Sequence, residues 1–123
     1  MSAGLRVAVV DDDPSVRKAL RRLLHALALE VDAYTTGQEF LDSLQLHRPD
    51  CLVLDLHMPG MSGLDVMRLV NEKKPKLPVI VITGHDEPDT RLKCMSAGAA
   101  AYLPKPVDDW VLLEAITRSV GSR

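Results

Sequence analysis

No apolar run in this sequence approaches the ~18 residues that cross a bilayer, and no charged-then-apolar leader opens it. A membrane-spanning or exported chain is therefore not expected. Positive charge is not in surplus either: 15 Lys and Arg stand against 17 Asp and Glu, a net charge of −2. Phosphate contacts need clustered cations in excess, so this domain is not expected to bind nucleic acid. Cysteine is rare, and Cys51 and Cys94 lie far apart in apolar surroundings. That predicts reduced thiols and a reducing, cytoplasmic compartment. Linkers, low-complexity tracts and fixed-period repeats are lacking too, so the 123 residues read as a single domain, 1–123. Aromatics make up only 3% of the chain, but 46% of it is hydrophobic. A domain of this size buries roughly two-thirds of its unfolded surface, and needs no disulfide or structural metal to do so.

What the sequence does have is an acidic run, Asp11-Asp12-Asp13, where a β-branched segment (Leu5 to Val10) stops abruptly. Pro14 suits a first helical turn, with Asp13 as the N-cap before it. Val16, Leu20, Leu23, Leu24 and Leu27 then recur at helical spacing, with Arg17, Lys18, Arg21 and Arg22 elsewhere on the wheel. The alternation continues. Glu30 to Tyr34 reads as a strand, and Thr36 caps a helix through Phe40, Leu41 and Leu44 that His47-Arg48-Pro49 ends. Cys51 to Leu54 is an unbroken apolar run, as a strand covered on both faces should be, and it stops at Asp55. A helix with Leu64, Met67 and Val70 follows, Pro75 to Pro78 breaks it, and Val79 to Ile82 is the most strand-like stretch of all. The fourth helix starts near Pro88 and closes at Gly98, with Leu92 and Met95 as its only large anchors, so a loosely held element is expected. Ala101-Tyr102-Leu103 forms a short fifth strand, and Leu112, Leu113, Ile116 and Val120 mark the last helix. Five strands alternating with five helices predict a doubly wound α/β fold with a parallel sheet.

In such sheets ligands bind at the carboxyl ends of the strands. Those ends carry Asp11 and Asp12, Asp55, Thr83, and Lys105. With strand order 2-1-3-4-5, three carboxylates converge beside the first and third strands. Such a cluster repels itself, and raised pKa values or a bound cation relieve it. All-oxygen ligands in an open site favour Mg²⁺. A Lys ammonium and a Thr hydroxyl opposite can hold phosphoryl oxygens. Together these groups describe phosphoryl transfer to Asp55, a carboxylate that needs no general base to form an acyl phosphate. Taken singly each residue has a plainer reading: cap or turn for the aspartates, a β-branched strand residue for Thr83, a solvated surface lysine for Lys105.

The four segments Val9-Val10-Asp11-Asp12, Leu54-Asp55 through Ser62-Gly63, Val81-Ile82-Thr83-Gly84-His85 and Tyr102-Leu103-Pro104-Lys105-Pro106, in this order, resemble the receiver domain of two-component response regulators. The likeness runs from Val7 to about Val120, and its wording is most similar to regulators of the FixJ type, which carry a helix-turn-helix output domain. The resemblance implies the flavodoxin-like receiver fold, a five-stranded sheet in the order 2-1-3-4-5. It implies Asp55 as phosphoacceptor, and Mg²⁺ held by Asp12, Asp55 and the His57 backbone carbonyl, with Asp11 acting through metal-bound water. Thr83 and Lys105 would hold the phosphoryl oxygens, the Lys105-Pro106 bond would be cis, and Tyr102 would be the switch aromatic that turns inward on phosphorylation. The donor would be a histidine kinase or phosphotransfer protein. The face of the fourth helix, fifth strand and fifth helix would then change its preference for an output domain, a downstream protein or a second copy. On this reading the chain catalyses only its own phosphorylation and dephosphorylation. A stand-alone receiver and a piece of a longer transcriptional regulator both fit.

His57 and His85, each two residues past a site residue, depart from the commoner family pattern and stand where hydrolytic water would pass. Solvent-facing positions at a crevice mouth are the plainer reading, as for His25 and His47 on helix surfaces. An Asp55-x-His57 metal site is disfavoured, because side chains two apart after a strand rarely converge on one ion. The basic side of the first helix (Arg17, Lys18, Arg21, Arg22) reads as kinase-docking or as plain solvated surface, and Trp110 as a packed anchor or, since Leu112, Leu113 and Ile116 already supply the core stripe, as part of the switching surface. Two rivals remain. A phosphatase or phosphotransferase of the haloacid-dehalogenase kind would use Asp11-Asp12-Asp13 as its Asp-x-Asp, and a receiver-like docking module would never be phosphorylated.

Overall fold

Each β-branched run becomes a strand and each amphipathic stretch a helix. The structure, a computed structural model, describes residues 5–46, 48–73 and 76–121; the readings of His47 and Pro75 lie outside them. In chain order the elements are β1 (Arg6–Val10), α1 (Pro14–Ala26), β2 (Glu30–Tyr34), α2 (Gly37–Ser43), β3 (Cys51–Asp55), α3 (Gly63–Lys73), β4 (Val79–Thr83), α4 (Pro88–Ser96), β5 (Ala101–Pro104) and α5 (Asp109–Gly121). All neighbouring strands pair parallel, in the order β2-β1-β3-β4-β5. The chain steps outward from β1 to β2 and then returns to place β3 on the other side of β1. That reversal opens a crevice at the carboxyl ends of β1 and β3. β3 and β4 each run one residue beyond their apolar stretch, so Asp55 and Thr83 are still held in the ladder.

Strand alternation sorts the core into two layers. Val7, Val9, Cys51, Val53, Ile80 and Ile82 face α1 and α5, where Leu20, Leu24, Leu112 and Ile116 meet them. Ala8, Val10, Leu52, Leu54, Val79 and Val81 face the opposite way, onto Phe40, Leu41, Val66, Met67, Val70 and Cys94 of α2, α3 and α4. Every residue of β3 and β4 is buried, as their unbroken apolar character requires. The caps follow the sequence: Asp13 accepts from the Ser15 N–H at 2.8 Å, Thr36 and Glu39 form a reciprocal capping box, and Gly98 ends α4 with φ +102°. No helix among the described residues is long and apolar enough to cross a membrane.

The fourth helix is thinly held, but not by the expected residues. Leu92 and Met95 are exposed, and Cys94 is the one buried side chain of α4. The buried face is set by small residues three apart, Cys94 and the half-buried Ala97. Leu92 lies two positions from Cys94, roughly 200° around the helix, so the two cannot share a face. Asn71 of α3 steadies the end of α4, its Nδ2 donating to the Ala97 carbonyl at 2.8 Å.

Gly63 opens α3 directly against the end of β3. A Cβ there would lie 2.8 Å from Leu56 Cα and 3.0 Å from the Asp55 carbonyl oxygen, both backbone atoms that cannot swing aside. Gly63→Ala is therefore expected to lower stability by about 1–3 kcal/mol despite the better helix propensity of Ala, read as a lower urea midpoint. An unchanged midpoint would show that β3 yields at its end.

Candidate functional site

Among the described residues the buried polar or charged side chains are Asp11, Asp55 and Thr83, all at one end of the sheet. β1 delivers Asp11 in the residue after Val10, β3 ends on Asp55, and β4 on Thr83. Lys105, one residue past β5, reaches back into the crevice. Its Nζ lies 3.1 Å from Asp11 Oδ2 and 3.3 Å from Asp55 Oδ1. The Lys105–Pro106 peptide is cis.

Two buried carboxylates and one ammonium leave net negative charge in a poorly solvated pocket. Burial, with the Asp11 charge beside it, raises Asp55 from its ordinary 3.8 to about 6, although Lys105 and the His57 backbone N–H pull the other way. For Lys105, burial alone lowers the pKa, but the two carboxylates outweigh it and hold the ammonium above the ordinary lysine value. Asp11 Oδ1 accepts from the Asp13 N–H at 2.9 Å. Asp11 Oδ2 meets the ammonium off the direction a hydrogen bond needs, and has no hydrogen-bond partner among the described residues. A buried carboxylate oxygen left in this way is suited to a cation or its water. Asp12 stands exposed at the rim, and one carboxylate oxygen each of Asp11, Asp12 and Asp55 lie within 4.8 Å of one another. An all-oxygen set, open on one side, fits Mg²⁺.

The Thr83 hydroxyl is bonded within its own loop. Its Oγ1 accepts from the His85 N–H at 3.0 Å and donates to the His85 carbonyl at 3.3 Å, which closes a small turn. Tyr102 is already inward, 4% exposed, in the layer with Cys94 and Ala99. Its hydroxyl is buried with no hydrogen-bond partner among the described residues, burial raises its pKa, and the Arg91 guanidinium lies 5.5 Å from the ring centroid. Trp110 is 73% exposed on α5, as its place outside the apolar stripe predicts.

Two arrangements were not legible in the sequence. His57 and His85, both exposed, touch edge to face with ring centroids 4.9 Å apart. The signal was there in outline: each lies two residues past the end of one of two paired strands, β3 and β4. Arg17 is not part of an outward basic face. Its Nη1 donates to the Asp11 backbone carbonyl at 2.7 Å, so only Lys18, Arg21 and Arg22 of that group stand exposed. Nothing in helical periodicity indicates that a long side chain will fold back over the turn before its own helix.

Residues 7–117 match the family model for the response regulator receiver domain. The chain is 39% identical over 122 residues to the transcriptional regulatory protein FixJ of Azorhizobium caulinodans, covering 98% of this chain and 57% of that protein. It is 41% identical over 113 residues to the DNA-binding transcriptional regulator NtrC of Klebsiella pneumoniae, covering 92% of this chain and 24% of that protein. The chain thus spans about a quarter of NtrC and little more than half of FixJ. Among solved structures, FixJ-N superposes with a TM-score of 0.88 at 36% identity, covering 97% of this chain and 95% of the other. A response regulator receiver domain protein from Clostridium thermocellum gives 0.90 at 29% identity, covering 96% and 95%.

Proposed function

The chain belongs to the response regulator receiver domain family, and from that premise we propose that it is a signalling switch driven by phosphorylation of Asp55. The observation that supports this most is the convergence of Asp11, Asp12, Asp55 and Lys105 at the carboxyl ends of β1, β3 and β5. One carboxylate oxygen of Asp55 attacks the phosphorus of a phosphohistidine on a sensor kinase or phosphotransfer protein. The P–O bond forms, the P–N bond breaks, and the imidazole leaves with the bonding pair. With a pKa of about 6, Asp55 is mostly ionised at neutral pH and needs no base. Lys105 meets the phosphoryl oxygens as a point charge, and Thr83 gives up its turn with His85 to donate to one of them. Asp12, Asp55 and the His57 backbone carbonyl would hold Mg²⁺, with Asp11 one step further out; when bound it neutralises the carboxylates and the incoming phosphoryl oxygens.

The output follows from how α4 is held. With Tyr102 already buried, the element free to travel is α4, whose one buried side chain is Cys94, and its movement alters the α4–β5–α5 face that exposes Leu92, Met95, Trp110 and Val111. That face engages an output domain, a downstream protein or a second copy of the chain, in transcriptional regulation as the names of FixJ and NtrC suggest. The donor docks across an open apolar groove of about 470 Å³ beside Lys105, lined by Val16, Leu20, Leu23, Pro106 and Val107. The buried thiols of Cys51 and Cys94 suit a reducing cytoplasm. The haloacid-dehalogenase alternative would need the Asp13 carboxylate for catalysis, but it is occupied in capping α1.

Intact-mass measurement after incubation with acetyl phosphate and Mg²⁺ tests the reading. One labile phosphoryl group per chain is expected, and chelation of Mg²⁺ should suppress it. A stable adduct, or multiple turnover of small phosphomonoesters with no group retained, would overturn it.

A further inference from the structure

The acidic turn is held by a network in which one side chain comes from outside it. Asp11 N–H donates to the Tyr34 carbonyl at 3.2 Å, Asp13 N–H to Asp11 Oδ1 at 2.9 Å, and Ser15 N–H to Asp13 Oδ1 at 2.8 Å. The Asp11 carbonyl takes the Arg17 guanidinium at 2.7 Å. This carbonyl belongs to the peptide that joins Asp11 to Asp12, so its direction sets where the Asp12 carboxylate points. Asp12 itself is exposed and has no hydrogen-bond partner among the described residues, so nothing but its backbone aims it at Asp55. We propose that Arg17 is a positioning residue for the cation site, clamping the Asp11–Asp12 peptide so that Asp12 is turned toward Asp11 and Asp55 before the cation arrives. The inference rests on the reading of these three carboxylates as a Mg²⁺ site.

A plain electrostatic account predicts the opposite sign. Arg17 is a half-buried cation a few ångströms from the site, and removing it should tighten the binding of another cation. Positioning predicts weaker binding, because the turn must then be ordered at the expense of binding energy.

Calorimetric titration of the purified chain with Mg²⁺ alone decides between them. Arg17→Met is expected to raise the Kd about tenfold, the scale found when a partner of a metal ligand is removed. Arg17→Lys, which keeps the charge and can make one hydrogen bond, should fall between it and wild type. Lys18→Met, on the exposed side of α1, should leave the Kd unchanged or slightly lower. In an Asp12→Asn background Arg17→Met should cost little, because the clamp acts through Asp12; a merely structural role would not show that coupling. Equal or tighter binding by Arg17→Met, or an undiminished loss in the Asp12→Asn background, overturns the proposal. Should Arg17→Met fail to fold by circular dichroism, Arg17→Lys carries the test, with wild-type affinity as the overturning result. A wild-type chain that gives no Mg²⁺ signal removes the metal site itself, a separate outcome from the failure of the clamp.

Discussion

Asp55→Asn is expected to reduce phosphoryl capture from one group per chain to none and, at the same time, to make the metal-free protein more stable at neutral pH. The first effect follows from chemistry: an amide oxygen is a poor nucleophile and its phosphoryl product has no comparable stability. The second follows from the pocket. The Asp55 carboxyl sits at about 6 in the folded chain against an ordinary 3.8, raised by burial and by Asp11. A raised folded value means the native state holds the proton more tightly than the unfolded one. The stability this confers is fully present below the unfolded value and is lost as pH rises through about 6. Asn carries no such penalty. The stability advantage of Asp55→Asn over wild type should therefore grow between about pH 4.5 and about pH 7.5 by an amount on the order of 2 kcal/mol, the rest of the effect of two pKa units falling below about pH 4.5. Urea unfolding of both proteins in chelator at the two pH values measures it. Saturating Mg²⁺ should narrow the gap, because it binds the native wild-type site and stabilises it by mass action. A gap that stays constant with pH would mean that Asp55 does not titrate in this range.

The sheet was legible because its strands carry their environment in their composition. Cys51 to Leu54 and Val79 to Ile82 have no polar residue, which only a strand covered on both faces tolerates, and both proved central. The candidate site was legible for the related reason that Asp55 and Thr83 end those runs without an apolar rationale. Less could be read where the outcome depends on tilt and rotamer. The nine-residue α4 touches the sheet through about one turn, so its buried face is decided by which small residues allow close approach, Cys94 and Ala97, and not by where its largest apolar side chains fall. Arg17 and Tyr102 show the same limit at the level of single side chains. Helical periodicity placed Arg17 among outward cations, but three or four rotatable bonds let it fold back onto the Asp11 carbonyl. For Tyr102, Arg91 over the ring is an interaction between helix and strand that no spacing rule announces.

Lys105→Met should separate two properties that otherwise travel together, Mg²⁺ affinity and phosphoryl capture. The ammonium occupies the space between Asp11 Oδ2 and Asp55 Oδ1, at 3.1 and 3.3 Å, and so competes with any other cation for the same two oxygens. Replacing it with an uncharged chain of similar length removes the competitor, and Mg²⁺ is expected to bind about tenfold more tightly. Capture from acetyl phosphate should nevertheless slow by about a hundredfold, because the ammonium also stabilises the charge on the transferring phosphoryl oxygens. In chelator the variant should lose about 3 kcal/mol or more at neutral pH, since two buried carboxylates are left facing each other without a counter-charge. Mg²⁺ should restore most of that loss. The sign of the affinity change is the sharp part of the prediction, and it is opposite to the sign expected for Arg17→Met. Lys105 touches the ligand oxygens and opposes the metal, whereas the Arg17 guanidinium bonds a backbone carbonyl and serves it. Weaker Mg²⁺ binding by Lys105→Met would mean that the ammonium holds Asp11 and Asp55 in a metal-ready arrangement; the pair of variants therefore tests whether each cation acts by its charge or by the geometry it imposes.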